Sequence, residues 1–428
     1  MLRFARNDGV LEKVDAEVWE ALEAEGEAEV LVVLGAQADL SGAGRLATKE
    51  ARGRYVYEAL RAMAEGSQAG LRAGLAARGA EYRTFYVVNA VWVRADEGLV
   101  TWLAARPEVA RIEANRWVLG VAPVGAEEGP AAPAGIEENL IRIHADDVWA
   151  LGFTGQGAVI GGQDTGYDWD HPALEGAYRG WDGATASHDY NWHDAVHSGG
   201  GSCGADSPEP CDDYGHGTHT MGIMVGDDGA MHQIGVAPGA RWIGCRNMDQ
   251  GVGSPATYLE CFDFFLAPYP VGGTPAEGDP ALAPDVINNS WSCPPSEGCA
   301  ADTLEMAVES LRQAGIGVVV SAGNSGSSCE TVIYPPAIYE ASFSVGAFDH
   351  RNDQIANFSS RGPVTYGGQT YGKPNLAAPG VSVYSSVPDG AYWYMSGTSM
   401  AAPHVAGVTA LLLSAAPGYA GDVEAIEQ

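Results

Sequence analysis

The 428 residues are 46% apolar, enough for more than one domain with a sizeable core, which excludes a disordered or fibrous protein. The 55 acidic residues against 23 basic ones give a formal charge of -32, which speaks against nucleic acid or an anionic membrane as a partner. No apolar run reads as long enough to span a membrane. Seven cysteines, all beyond residue 200, include Cys203/Cys211 and Cys293/Cys299, each pair enclosing a short polar loop. That pattern predicts local disulfides and a secreted protein, with at least one cysteine unpaired or bound to another chain. Met1 to Asp8 shows no apolar stretch of signal-peptide length.

Residues 13–26 are helix-like, with Val14, Val18 and Leu22 at spacing four, and residues 1–24 read as an N-terminal helical extension. A strand is predicted over 28–34 and a long alanine-rich helix over 46–77, with candidate breaks at Gly66 or Gly70. One or two strands follow over 84–94, then a helix over 97–104 and a strand over 109–112. The order β-α-β-β-α-β predicts a small α+β domain, residues 25–119. Residues 120–136 hold three prolines and the acidic pair Glu127 and Glu128 without periodicity, and read as an exposed linker. From 137 to 428 short β-rich runs alternate with helical ones, which predicts an α/β domain of three layers around a mostly parallel sheet. Sites in such folds form beyond the carboxyl ends of strands. Residues 182–213, rich in Asp, His, Gly and Ser, read as a surface insertion stapled by Cys203 and Cys211.

Near the end, Gly397-Thr-Ser399-Met-Ala-Ala-Pro403-His404 leads into the apolar run 408–413, leaving Ser399 at the junction of a tight turn and a buried helix. A helix cap and a nucleophile are both compatible with that position. Pro403 is tolerated there if it falls within the first helical turn. Three residues are candidate partners. Asp164 ends an apolar strand and opens a turn; His216 begins Gly215-His-Gly-Thr-His219; Asn324 closes the run 318–323. Taken alone, Asp164 and Asn324 also suit turns, and His216 with His219 also suits a metal, although no glutamate stands between them. Together they supply what a serine nucleophile needs: an imidazole base, a carboxylate that orients it, and an amide donor for an oxyanion.

The blocks Asp164-Thr-Gly166, His216-Gly-Thr-His219, Ser321-Ala-Gly-Asn324 and Gly397-Thr-Ser399-Met-Ala-Ala-Pro-His404 resemble the signatures of the subtilisin-like serine endopeptidases, in that family's order. Residues 285–291, the cysteine-rich loop after them and Tyr334-Pro-Pro336 resemble the bacillopeptidase F group most. The resemblance implies Ser399 as nucleophile, His216 as base and then acid, Asp164 as its orienter and Asn324 as oxyanion donor. It implies a structural role for His404. It further implies that Gly251, Val252, Gly253 and Ser254 form one substrate-pairing edge, that Ser290, Trp291 and Ser292 lie on the other, and that Ile333 narrows the pocket for the residue before the cut bond. The domain 25–119 is similar to the family's ferredoxin-like inhibitory propeptide, which implies a zymogen cut by itself between about 118 and 136. Partners implied are polypeptide substrates and the chain's own propeptide.

No cofactor is required by this reading. Ala173 stands where the family has a calcium-binding aspartate; calcium stays open with no site assigned, and Asp168, Asp170, Asp212 and Asp213 are the residues that offer carboxylates. The family continues with further helices after the serine block, whereas the chain given ends at Gln428, so a shortened catalytic domain is expected. A peptide-binding protein or catalytically impaired fragment on the same fold, and a hydrolase of esters or small amides, are the competing readings.

Overall fold

The computed structural model describes residues 12–120, 123–128, 135–199 and 201–428. The start of the predicted N-terminal extension and the middle of the linker lie outside the described residues. The helix expected over 13–26 is α1 (Ala16–Glu25), stopped by Gly26 at φ 81°. Four strands follow: β1 (Ala28–Leu34), β2 (Tyr82–Phe85), β3 (Ala90–Ala95) and β4 (Val109–Ala114), antiparallel in the order β2-β3-β1-β4. Helix α2 (Lys49–Ala76) starts on the Thr48 side chain, which accepts from the Ala51 N–H at 3.2 Å. It runs unbroken through Gly66 and Gly70, because Val56, Leu60, Ala64, Leu71 and Leu75 bury one continuous stripe that outweighs the low helix propensity of glycine. Helix α3 (Glu97–Ala104) is capped by Asp96.

After β5 (Val118–Leu119), the region read as linker holds β6 (Gly125–Glu128) and the short strand Gly135–Ile136, so 120–136 is not wholly without structure. The large sheet is built from β7 (Val159–Asp164), β8 (Trp192–Asp194), β9 (Arg241–Arg246), β11 (Val286–Asn289), β12 (Gly317–Ser321), β13 (Phe343–Asp349) and β14 (Leu376–Pro379), with β10 (Val252–Gly253) on a separate hairpin. From one side its order is β14, β13, β12, β11, β7, β9, β8, every pair parallel. Only Gln354–Ile355 pairs antiparallel, at one end of β13. The chain leaves β7 for β9 on one side and returns to β11 on the other. That reversal opens a crevice at the carboxyl end of β7, and Asp164 is its last residue.

Helices α4 (His216–Val225), α5 (Pro255–Leu266), α6 (Glu305–Gln313) and α7 (Thr398–Ala415) cover the sheet, and a hairpin of β15 (Val383–Val387) and β16 (Ala391–Ser396) leads into α7. By length and composition α7 is apolar enough to cross a membrane, yet 72% of it is buried within the fold, where it packs on α4 and the central strands. Disulfides join Cys203 to Cys211 and Cys293 to Cys299, as the loop pattern predicted. A third, Cys245–Cys261, ties β9 to α5, and Cys329 is free and exposed.

The insertion 182–213 is also pinned by charge. Glu260 on α5 is met by His193 Nε2 at 2.9 Å and by His197 Nε2 at 2.8 Å, while His197 Nδ1 lies 2.6 Å from Asp206. Burial of His197 favours its neutral form, but the Glu260 and Asp206 carboxylates prevail and push its pKa up to about 9. The folded value lies above the ordinary 6.5, so this contribution to stability is complete below that value and is lost as pH rises through about 9. His197→Gln should therefore lower the melting temperature of the full chain near pH 6 and do so less at about pH 10, as read by calorimetry. Equal losses at both would assign His197 to packing.

Candidate active site

Asp164 and His216 meet because glycine lets two backbones touch. A Cβ on Gly217 would stand 2.1 Å from the Gly166 carbonyl oxygen, and one on Gly166, at φ 112°, 1.8 Å from that of Cys211. The His216 Nδ1 is 2.7 Å from Asp164 Oδ1, and both side chains are buried. The Thr165 N–H also reaches Oδ1, at 2.8 Å, and fixes the carboxylate. With Nδ1–H donated to Asp164, Nε2 is left as the basic nitrogen, and among the described residues it has no hydrogen-bond partner. Burial opposes the imidazolium, but Asp164 and then Asp212 outweigh it, so the His216 pKa lies above its ordinary value.

Asp212, met in the sequence only as one of several loop aspartates, organises this corner. Its carboxylate accepts from Thr165 Oγ1 at 2.8 Å, Gly215 N at 2.8 Å, Thr218 N at 2.9 Å and Thr218 Oγ1 at 2.6 Å. It thus fixes the first turn of α4 and holds that turn against the end of β7. An acidic residue six positions before a Thr on a helix that starts at glycine is the signal that reveals such a cap, and it was read only as a loop carboxylate.

Ser399 is the second residue of α7 and fully buried. Pro403 lies beyond the first turn, contrary to the expectation, and its cost is offset locally. Proline has no N–H for the Ser399 carbonyl four residues earlier, and Ser290 Oγ donates to that oxygen instead, at 2.8 Å. In return Ser399 Oγ donates to the Ser290 carbonyl at 3.1 Å. On the other side Asn324 Oδ1 accepts from Thr398 N and Thr398 Oγ1, each at 2.9 Å. This fixes the amide, so that Nδ2 faces away, buried and without a partner among the described residues. A Cβ on Gly397 would lie 3.5 Å from that Nδ2 and 3.6 Å from the Ser399 amide nitrogen. Gly397 is extended at φ 162°, so glycine serves there for space, and two N–H donors flank the gap it leaves.

The residues expected to bind substrate divide. Val252 and Gly253 pair antiparallel with Leu119 and Val118 of β5, and the Gly120 N–H reaches the Gly251 carbonyl at 2.6 Å. Ser254 caps the start of α5, and its N–H donates to Thr257 Oγ1 at 3.2 Å. Ser290 braces Ser399, whereas the Trp291 side chain is core, stacked on Tyr258 at 4.0 Å with its indole N–H on the Gln163 carbonyl at 3.1 Å. Ser292 is half-buried beside the Cys293–Cys299 loop, and Ile333 is 48% exposed just before Tyr334.

The other histidines point elsewhere. His219 Nε2 meets the Trp393 carbonyl at 3.1 Å, and burial lowers its pKa to about 3. His404 Nδ1 meets the Met400 carbonyl at 2.8 Å while Nε2 meets Asn139 Nδ2 at 2.8 Å, and burial lowers its pKa to about 4. Of the carboxylates offered for calcium, Asp212 is occupied as described. Asp213 accepts from Gln250 N at 3.0 Å, and burial with Asp249 beside it raises its pKa to about 6. Burial and Asp170 raise that of Asp168 to about 7. Among the described residues no three acidic, histidine or cysteine side chains group as metal ligands.

Residues 155–427 match the model of the subtilase family. The chain is 38% identical to bacillopeptidase F of Bacillus subtilis (strain 168) over 78% of its own length and 23% of that protein's. It is 33% identical to a thermophilic serine proteinase of Bacillus sp. (strain AK1), over 67% of this chain and 59% of the relative, and 29% identical to subtilisin E of Bacillus subtilis (strain 168), over 79% and 74%. The chain therefore spans less than a quarter of bacillopeptidase F. The mostly parallel sheet, the buried Asp164–His216 pair and the match over residues 155–427 agree: the chain belongs to the subtilase family of serine endopeptidases.

Proposed function

We propose that the chain hydrolyses peptide bonds in extended polypeptides with Asp164, His216 and Ser399, and that it is made as a zymogen. The observation that carries this reading is the buried Asp164–His216 bond, which leaves the basic Nε2 without a partner among the described residues. Ser399 Oγ rotates from the Ser290 carbonyl to attack the scissile carbonyl carbon while His216 Nε2 takes its proton. Asp164 holds the ring and stabilises the imidazolium. Negative charge on the former carbonyl oxygen is received by Asn324 Nδ2 and the Ser399 N–H, both fixed before the reaction begins. His216 then protonates the leaving amine, and water repeats the sequence on the acyl-enzyme.

The N-terminal module is the chain's own inhibitor, a ferredoxin-like propeptide. Support comes from β5, which occupies the edge strand β10 as a substrate would, and from a docking face built of buried polar contacts. Asp263 on α5 accepts from the Val87 N–H at 2.7 Å, and Asn115 Oδ1 accepts from the Ala256 N–H at 2.8 Å. With Gly120 bonded to Gly251 on one side and Val124 to Ser396 on the other, the bond cut in maturation lies between Gly120 and Val124. The pocket for the residue before the cut is narrowed by Ile333, and secretion follows the disulfides. A peptide-binding protein without activity is the reading these residues favour least, since no catalytic group is replaced.

Ser399→Ala should abolish labelling by a serine-directed phosphonate and hydrolysis of casein-type peptides, whereas Asn324→Ala should keep the label and lose about 10²–10³ in kcat. Activity should rise with pH through a value above the ordinary range for histidine, since the base acts when neutral and His216 is raised. Asp212→Asn should move that rise to lower pH; an unmoved or upward profile would remove Asp212 from the electrostatics. Edman sequencing of the matured protein should begin within residues 121–124, and a retained residue 1 in active protein would refute the zymogen.

A further inference from the structure

We infer that Glu297 selects the substrate: its carboxylate receives a lysine or arginine side chain from the residue that pairs with Gly253, upstream of the cut bond. This rests on the proteolytic reading above, in which β5 lies along β10 as a substrate does. In that pairing Val118 stands opposite Gly253. Residues directly opposite in an antiparallel pair project to the same face, and successive residues alternate between faces. Val118 is half-buried while Leu119 is 56% exposed, so the side chain at position 118 is the one that enters the enzyme. The face it enters is that of the Tyr258 hydroxyl, since a Cβ on Gly253 would stand 2.3 Å from that oxygen.

Glu297 lies beside that hydroxyl, and both residues are fully buried. Among the described residues neither oxygen of the Glu297 carboxyl has a hydrogen-bond partner, and nor has the Tyr258 hydroxyl. The place is rigid. The Tyr258 ring stacks on Trp291 at 4.0 Å, the Cys293–Cys299 bridge closes the loop that carries Glu297, and the Glu297 carbonyl accepts from the Arg116 N–H at 2.9 Å. Burial pushes the Glu297 pKa up to about 9, with the Tyr258 hydroxyl acting against it, so with Val118 above it the group is neutral and unsatisfied. An aliphatic side chain thus leaves the carboxyl its desolvation cost. A long cationic side chain supplies the missing donors and the opposite charge, which restores the ionised form in a charge-assisted bond. A site built this way discriminates through the unmet polar group more than through shape. With valine there, the chain's own segment leaves this interaction to the substrate.

The test uses matured protein and quenched fluorescent peptides with the sequence of residues 115–126, carrying lysine, norleucine or glutamate in the place of Val118, with product masses fixing the cut bond. kcat/KM should be about tenfold higher for lysine than for norleucine and about tenfold lower for glutamate, whereas the same three side chains in the place of Leu119 should change it less than about threefold. In Glu297→Gln protein the lysine-to-norleucine ratio should fall to about one. A ratio near one in the unaltered protein, the same ratio kept in Glu297→Gln, or an equal preference at position 119 would overturn the assignment and leave the proteolytic reading standing. If Glu297→Gln does not fold, the glutamate peptide decides in the unaltered protein, and cleavage equal to that of the norleucine peptide would overturn the assignment. No cleavage of any peptide together with no phosphonate labelling would overturn both.

Discussion

A carboxylate and an imidazole can be buried together only if every neighbour is arranged for them, and the structure around Asp164 and His216 is that arrangement. An unpaired charge in such a place would be costly, so the hydrogen bond between them and the N–H of Thr165 are conditions of the fold as much as of the chemistry. The bond in turn demands that the end of β7 and the start of α4 approach to backbone contact, which Gly166 and Gly217 permit and Asp212 enforces. The sheet reversal supplies the open crevice above, and the Cys203–Cys211 bridge holds the loop that delivers Asp212.

Ser399 depends on a second, reciprocal constraint. A proline one turn after it would normally leave a carbonyl without a donor in the core. Ser290 meets that need, and the two serines exchange hydrogen bonds through each other's backbone carbonyl. The end of β11 and the start of α7 are thereby locked in register, and the Thr398–Asn324 bonds add the end of β12. Three strand ends and two helix starts converge on one crevice, each fixed by a polar contact that sequence separation would not suggest.

The catalytic candidates were legible because each stands in a local block of small residues whose order along the chain is distinctive. The supporting residues were not. Asp212 looks like any aspartate in a glycine-rich loop until its donors are brought to it from positions 165, 215 and 218. Trp291 was expected on the substrate-pairing edge, but alternation along the chain sends its ring to Tyr258. The depth of Pro403 in α7 depends on where the helix begins, which propensity does not define to within a turn. Cys245 and Cys261 enclose no polar loop, so their pairing rests on β9 and α5 being neighbours in space. The alternation of β-rich and helical runs made the α/β class legible but not the strand order, since β7 with β11, β5 with β10 and β6 with β16 all pair across more than a hundred residues.

Lys49, the first residue of α2, pairs with Asp285 at 2.6 Å, 236 residues away, and Arg52 donates to the Gly421 carbonyl across 369 residues. Closing such wide loops by random search is entropically expensive and slow, and a parallel sheet offers few short-range contacts to repay it early. The N-terminal module presents both contacts on the first turn of α2. Because both contacts start on one end of one helix, the two closures amount to a single docking contact between the N-terminal module and the large sheet's domain.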